Sequence, residues 1–387
     1  MFYCIYEYFF DSATAAAALR VLSYITVRSG FALITAILIS IIFGKKFIKK
    51  LIELKLGQPI RDDHFHKLNQ VKSNTPTMGG ILILFSVTVS TLLWGNLHNR
   101  YVLLSLFCLI GLGAVGFADD FLKLKYKNSR GLSGKLKLLF QILIAFAIGL
   151  YLYKSGIVSA KLWNPLQKNI EITKDTYKDL LTSDFTDKLT VPFFKNAFIP
   201  LGAAYILFVI LVIIGSSNAV NLTDGLDGLA AGSSLFTLVA FTVLCYICGN
   251  WQISRYLQIL FIEGSGEVTV FCSAMIGGIM GFLWFNCYPA QVFMGDTGSL
   301  SIGGVVGLLS VITKNEILLL FSGAVFVAEA VSVMLQVSYF KYTKYRFGEG
   351  KRIFKMAPIH HHFEMQGLNE SKVIIRFWII SIMLLLF

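Results

Sequence analysis

Asp119 and Asp120 stand side by side at the end of an apolar run. Two adjacent carboxylates in such a place are comfortable as anions only with a cation between or beside them. Asp296 is flanked by Gly295 and by Thr297-Gly298, which reads as a turn where backbone can approach a phosphate or a metal closely. Residues 218–230, NAVNLTDGLDGLA, set Asp224 and Asp227 beside Asn218, Asn221 and Thr223 between two nearly aliphatic stretches. Hard oxygen donors without a closed Cys/His set favour Mg²⁺ over Zn²⁺. The lysines near these acids, Lys72, Lys123, Lys127 and Lys135, suit a highly anionic ligand such as a diphosphate. Each cluster also has a plain structural reading. Paired acids at a helix end are commonly solvated, GDTGS is a possible turn, and TPTMGG (75–80) suits a loop-to-helix entry with glycine packing. His360, His361 and His362 fit an interfacial basic patch or metal ligands, and Phe285 and Phe293 fit aromatic anchors at a membrane boundary.

The elements that position these groups are membrane helices. The 387 residues are 56% hydrophobic and 14% charged, with a mean hydropathy of +0.69, outside the range of soluble domains. Ten apolar segments approach the roughly 20 residues needed to cross hydrocarbon. They are residues 21–43, 78–94, 101–118, 137–153, 197–215, 228–248, 268–285, 299–312 (short), 317–340 and 372–387. The expectation is an all-α, polytopic integral membrane protein with about ten transmembrane helices. Residues 1–387 read as a single transmembrane domain, with 154–196 as an extracytoplasmic loop insertion.

Lys and Arg crowd the first, third and ninth connections, which predicts that odd connections are cytoplasmic and both termini outside. The fourth connection is Lys-rich too, but it is long and its lysines are matched by acids, so it is placed outside. The five polar clusters then open on one face, as a single composite site would require. The N-terminus has no basic region ahead of its first acids, unlike a cleaved signal peptide, and the last apolar run stops without a polar flank, as if a few residues were missing. Cys245 and Cys248 form a C-x-x-C inside a span, read as packing, and no zinc site or disulfide is assigned to the six cysteines. The net charge of +12 sits at helix ends, where it sets topology and meets anionic lipid, so nucleic acid is a poor partner.

TPTMGG (75–80), FADD (117–120), NAVNLTDGLDGLA (218–230), FNCYPAQVFMGDTGS (285–299) and APIHHHFE (357–364) resemble the motifs of the phospho-N-acetylmuramoyl-pentapeptide transferase (MraY) family, in its order. That family lies within the polyprenyl-phosphate N-acetylhexosamine-1-phosphate transferases. The resemblance implies transfer of phospho-MurNAc-pentapeptide from UDP-MurNAc-pentapeptide to undecaprenyl phosphate, giving lipid I and UMP for peptidoglycan synthesis. It implies Mg²⁺, the bacterial cytoplasmic membrane with the site on its cytoplasmic face, and frequent homodimers. Carried over by motif, Asp296 holds the metal, while Asp119 and Asp120 handle the lipid phosphate or support the metal. Asn221, Asp224 and Asp227 line the nucleotide and sugar side, with Asn286 nearby and Phe293 stacking on uracil. Thr75, Lys72, Lys123, Lys127 and Lys135 bind substrate, and His360, His361 and His362 close the site near the diphosphate or sugar. Asn74 and Asn69 depart from the common Gly and His of the family, and no role passes to His64 or His66. The alternatives are a related transferase that uses UDP-GlcNAc and, from another class, a secondary transporter whose acids line an ion path.

Overall fold

A computed structural model describes residues 1–3, 20–54, 75–126, 131–162, 177–192, 194 and 196–385. Lys72, Lys127, His64, His66, Asn69 and Asn74 lie outside the described residues. With no water inside a bilayer, each backbone N–H and C=O must be satisfied within the segment, and the long apolar runs accordingly form helices. The membrane helices are α1 (Ile25–Glu53), α2 (Gly80–Trp94), α3 (Arg100–Lys125), α4 (Gly134–Ser155), α5 (Ala204–Thr223), α6 (Leu229–Cys248), α7 (Val268–Asn286), α8 (Gly295–Ile312) and α9 (Ala324–Phe347). Eight of the nine are long and apolar enough to cross a membrane, and α2 is a shorter apolar helix of 15 residues. A short helix α10 (Ile359–Glu364) and the 16-residue α11 (Glu370–Leu385) complete the chain. Each of the ten expected segments overlaps one of these helices.

Two boundaries move, and both matter for the site. The segment expected over 197–215 begins as a strand: β2 (Lys188–Thr190) pairs antiparallel with β3 (Phe198–Pro200), so α5 starts only at Ala204. It then runs on to Thr223, which puts Asn218 and Asn221 on a helix instead of in a loop. The segment expected over 299–312 starts earlier, at Gly295, so Asp296 lies in the first turn of α8 and not on a free turn. A second small pairing, β1 (Ser159–Ala160) with β4 (Phe261–Ile262), ties the connection after α4 to that before α7.

The core is built round α7 and α8. α7 packs against α1, α2 and α6, and α8 against α3 and α5. From Thr297 to Ile312 every residue of α8 is buried, and its many Gly and Ser residues let neighbouring backbones come close, as in other membrane helix contacts. Two glycines set the approach at the site. A Cβ on Gly116 of α3 would collide with the Asp296 carbonyl, and one on Gly80 of α2 with the Gly298 backbone. Phe285, expected as an interfacial anchor, is instead 1% exposed and packs against Gly44 of α1. The anchor pattern failed there because position 285 still lies in α7, on its buried side.

Candidate active site

The last turns of α3 carry Asp119, Asp120 and Lys123, all directed at the first turn of α8. Asp120 accepts hydrogen bonds from the N–H groups of Asp296 (3.2 Å) and Thr297 (2.9 Å) and from the Thr297 hydroxyl (2.7 Å). The first N–H groups of a helix lack intrahelical acceptors, and the helix dipole favours an anion there, so Asp120 pins the start of α8. Asp119 is spent differently: one oxygen accepts the Leu132 N–H at 2.7 Å, and the other faces Lys123 at 2.7 Å. Lys123 also reaches Asp296 at 2.8 Å. The two adjacent acids thus have separate duties, where the sequence suggested one shared role.

Asp296 has a second ammonium partner that sequence reasoning passed over. Lys137 of α4 lies 2.7 Å from Asp296 and 3.7 Å from Asp119, whereas Lys135, the lysine singled out, is exposed. The signal was present in the spacing. Ser133 caps α4 by accepting the Leu136 N–H, and from there Lys137 shares the inward face with Gln141, Ala145, Ile148 and Leu152, all buried. Lys135 falls off that face.

The remaining polar clusters meet the same place from three sides. Gly79 and Gly80 donate N–H bonds to the carbonyls of Phe293 and Met294, and Phe293 donates to Pro76, so the 75–80 segment backs the stretch leading into Asp296. Thr75 and Phe293 are half-buried there. Asp224 lies just past the end of α5 and near the Gly295 N–H; burial, with Asp296, Asp120 and Asp227 nearby, pushes its carboxyl up to about 8. Asn221 accepts a hydrogen bond from Ser299 of α8 at 2.7 Å. Asp227 is buried; its N–H donates to Glu370 of α11, and its carboxylate accepts the Ala290 N–H. Asn286 is also buried and donates to the Val292 carbonyl at 2.8 Å, which folds the loop between α7 and α8.

The three histidines do not act as one patch. His360 is fully buried against Gly225. His361 lies 2.7 Å from Glu364. His362 accepts the Lys355 N–H, bonds to Gln366 and meets Phe354 edge-on, which folds the strap between α9 and α10. Glu370, Thr297 and Ser299 hold these groups in place and carried no signal as separate residues.

Ligand oxygens of Asp119, Asp120 and Asp296 all lie within 4.8 Å of one another. The donor set is all carboxylate oxygen, which fits a hard divalent cation, and two ammonium groups offset part of its charge. The acids are gathered at one end of α3 and α8 and held by one network, not strung along a path through the helices as an ion transporter would need.

A polytopic helical membrane protein with an acid-lined, lysine-rich centre at helix ends has the outline of a membrane glycosyl-phosphate transferase, and residues 102–314 match the profile of glycosyl transferase family 4. Residues 72–84 match signature 1 of the phospho-N-acetylmuramoyl-pentapeptide-transferases. The chain is 50% identical over 370 residues to the phospho-N-acetylmuramoyl-pentapeptide-transferase of Solidesulfovibrio magneticus, covering 96% of this chain and 94% of that protein. It is 48% identical over 382 residues to that of Thermodesulfovibrio yellowstonii, covering 99% and 97%. The chain belongs to the phospho-N-acetylmuramoyl-pentapeptide-transferase family.

Proposed function

We infer that this chain transfers phospho-MurNAc-pentapeptide from UDP-MurNAc-pentapeptide to undecaprenyl phosphate, forming lipid I and releasing UMP in peptidoglycan synthesis. The observation that carries the chemistry is the clustering of Asp119, Asp120 and Asp296 with Lys123 and Lys137 at the first turn of α8. Full-length kinship carries the choice of the muramoyl substrate over UDP-GlcNAc. The chain acts as one transmembrane unit in the bacterial cytoplasmic membrane. The site faces the cytoplasm and the 154–196 connection lies outside, a topology supported by the lysines and arginines at the ends of α1, α3 and α9.

The acceptor phosphate has a second pKa near ~6 and is mostly dianionic at neutral pH, so it needs little help from a base. The main task is to bring two anions together and stabilise charge as it moves onto the departing UMP. Lys123 and Lys137 supply fixed positive charge, and the α8 N-terminus adds its dipole. Asp296 is the residue that would hold Mg²⁺, with Asp119 and Asp120 within 4.8 Å to support it. Bound there, Mg²⁺ would neutralise phosphate charge. Direct attack is the simpler course: a phosphate oxygen of the lipid bonds to the sugar-bearing phosphorus as the bond to UMP breaks. Asp224, Asp227 and Asn221 stand on the nucleotide and sugar side, with Phe293 against uracil.

The test is UMP release by purified protein in detergent with undecaprenyl phosphate, Mg²⁺ and either UDP-MurNAc-pentapeptide or UDP-GlcNAc. Release with the muramoyl substrate alone is expected. Release with UDP-GlcNAc alone would keep the chemistry and change the substrate, and release with neither would overturn the reading.

A further inference from the structure

Glu329 is the acid that the site described above does not use. It sits on α9, a helix apolar enough to cross a membrane, and its side chain is 0% exposed. An ionisable group inside a span is costly to keep and is retained where it has a defined partner. Among the described residues that partner is His360 of α10. Glu329 Oε1 lies 3.1 Å from His360 Nδ1, and Oε2 accepts the His360 backbone N–H at 3.4 Å. One carboxylate thus faces both the ring, within ion-pair distance, and the main chain, through a hydrogen bond, of the same residue.

The other side of the ring faces the transferase centre. His360 is also 0% exposed, and neither ring nitrogen makes an aligned hydrogen bond among the described residues. Nε2 lies so close to Gly225 that a Cβ there would collide with it, and Cε1 would be 2.8 Å away. Gly225 follows Asp224, whose carboxyl lies near the Gly295 N–H, immediately before Asp296. The imidazole therefore stands between a membrane carboxylate and the turn that carries Asp224.

We propose that Glu329 is a positioning residue of the transferase: its carboxylate, within ion-pair distance of His360 Nδ1, favours a proton there, fixes the tautomer and plane of the ring, and so sets the 224–227 turn against α8. A carboxylate that orients an imidazole through its far nitrogen is a recurring device, because the bond made at one ring nitrogen decides what the other presents. Glutamine keeps one acceptor of the pair, and leucine removes both while suiting a membrane helix. This inference rests on the transferase reading, and its test separates the two.

The experiment compares wild type, Glu329→Gln, Glu329→Leu, His360→Ala and the double variant Glu329→Leu/His360→Ala, in UMP release and in ¹⁵N-histidine NMR. For Glu329→Leu the expected result is a fall in kcat of about 10- to 100-fold with KM for the UDP substrate little changed. Glu329→Gln should lose less, the thermal inactivation midpoint of Glu329→Leu should stay at or above that of wild type, and the double variant should be no slower than His360→Ala. A loss that adds to that of His360→Ala, or one that follows a drop in thermal stability, would overturn positioning in favour of a helix tie. The NMR readout needs no activity. The resonance absent from His360→Ala should report Nδ1–H in wild type and change in Glu329→Leu; an Nε2–H tautomer in wild type, or an unchanged signal, would overturn the proposal. Wild type silent in the assay overturns the transferase reading instead, and the NMR arm still decides this one.

Discussion

At the N-terminal end of α8, Asp296 is 15% exposed and shares Lys123 and Lys137 with Asp119, while ~27 Å further along the same direction Lys314 and Glu316 are both 0% exposed and face each other at 3.6 Å. The far pair is closed in by its neighbours. Tyr205 of α5 donates to Glu316, Lys314 donates to the Thr186 carbonyl, and the Thr190 hydroxyl donates to the Lys314 carbonyl. Burial pushes the Lys314 ammonium down and the Glu316 carboxyl up from their ordinary values, so neither is comfortable as an ion without the other. The near cluster is different in kind. It holds three carboxylates against two ammonium groups, so it retains negative charge and reaches solvent through Asp296. A matched, sealed pair is a clasp between α8 and the connection before α5. An unmatched, open cluster is a place to bind a cation and an anionic substrate.

That contrast predicts the largest effect at the open end. Asp296→Asn keeps the shape but removes the charge that a divalent cation requires, and kcat should fall by about 10³-fold or more, with the protein as thermostable as wild type. Chelation of divalent metal should do the same to the wild type. A wild-type rate persisting after chelation would break the comparison, because the open cluster would then have no metal to hold.

The next effect belongs to the closed end and should be one of stability. Lys314→Met leaves Glu316 buried without its cation, which costs about 3–5 kcal/mol. Unfolding in detergent should show it as a large drop, while kcat per folded molecule stays near wild type. A kcat loss without destabilisation would make the far pair part of the catalytic apparatus.

Lys137→Met should cost less than Asp296→Asn. It removes one of two ammonium partners and leaves Lys123 in place, so a loss of about 1.5–3 kcal/mol, roughly 10- to 100-fold in kcat, follows from one charged hydrogen bond. Lys135→Met, measured beside it, sharpens the point: a larger loss at Lys135 than at Lys137 would show that the inward face of α4 does not define the site.

The two ends also differ in how far the sequence disclosed them. FADD and GDTGS carry three acids into a chain that has few, so Asp119, Asp120 and Asp296 announce themselves, and the ten apolar segments give the helices that bring them together. TPTMGG was legible as a helix entry, but its pairing with Phe293 and Met294 was not, because backbone bonds between remote segments leave no mark in residue type. Lys137 was hidden by Lys135 two residues earlier, and only the helical spacing to Gln141 and Ala145 separates them. Glu329 and Glu370 stand as single acids within or beside apolar runs. Their meaning lies in a partner up to 143 residues away, as for Glu370 and Asp227, and nothing local points to it.

The smallest expected effect is also the sharpest test of what the closed end is for. If Lys314 and Glu316 only satisfy each other, then removing both at once removes the need for either. Desolvating two charges consumes most of what their attraction returns, so well-packed apolar replacements of similar volume are often neutral or better. Lys314→Met/Glu316→Leu should therefore unfold within about 1 kcal/mol of wild type, recovering nearly all that Lys314→Met loses. Tyr205 would lose its acceptor and the Thr186 carbonyl its donor, which is why full recovery is not expected. The same treatment at the open end has no such outcome: replacing Asp296 and Lys137 together should leave the enzyme as inactive as Asp296→Asn alone, because the carboxylate there is needed for a ligand and not for the lysine. A double variant at 314 and 316 as unstable as the single would mean that the ion pair holds the outer connection through geometry that no apolar pair can copy.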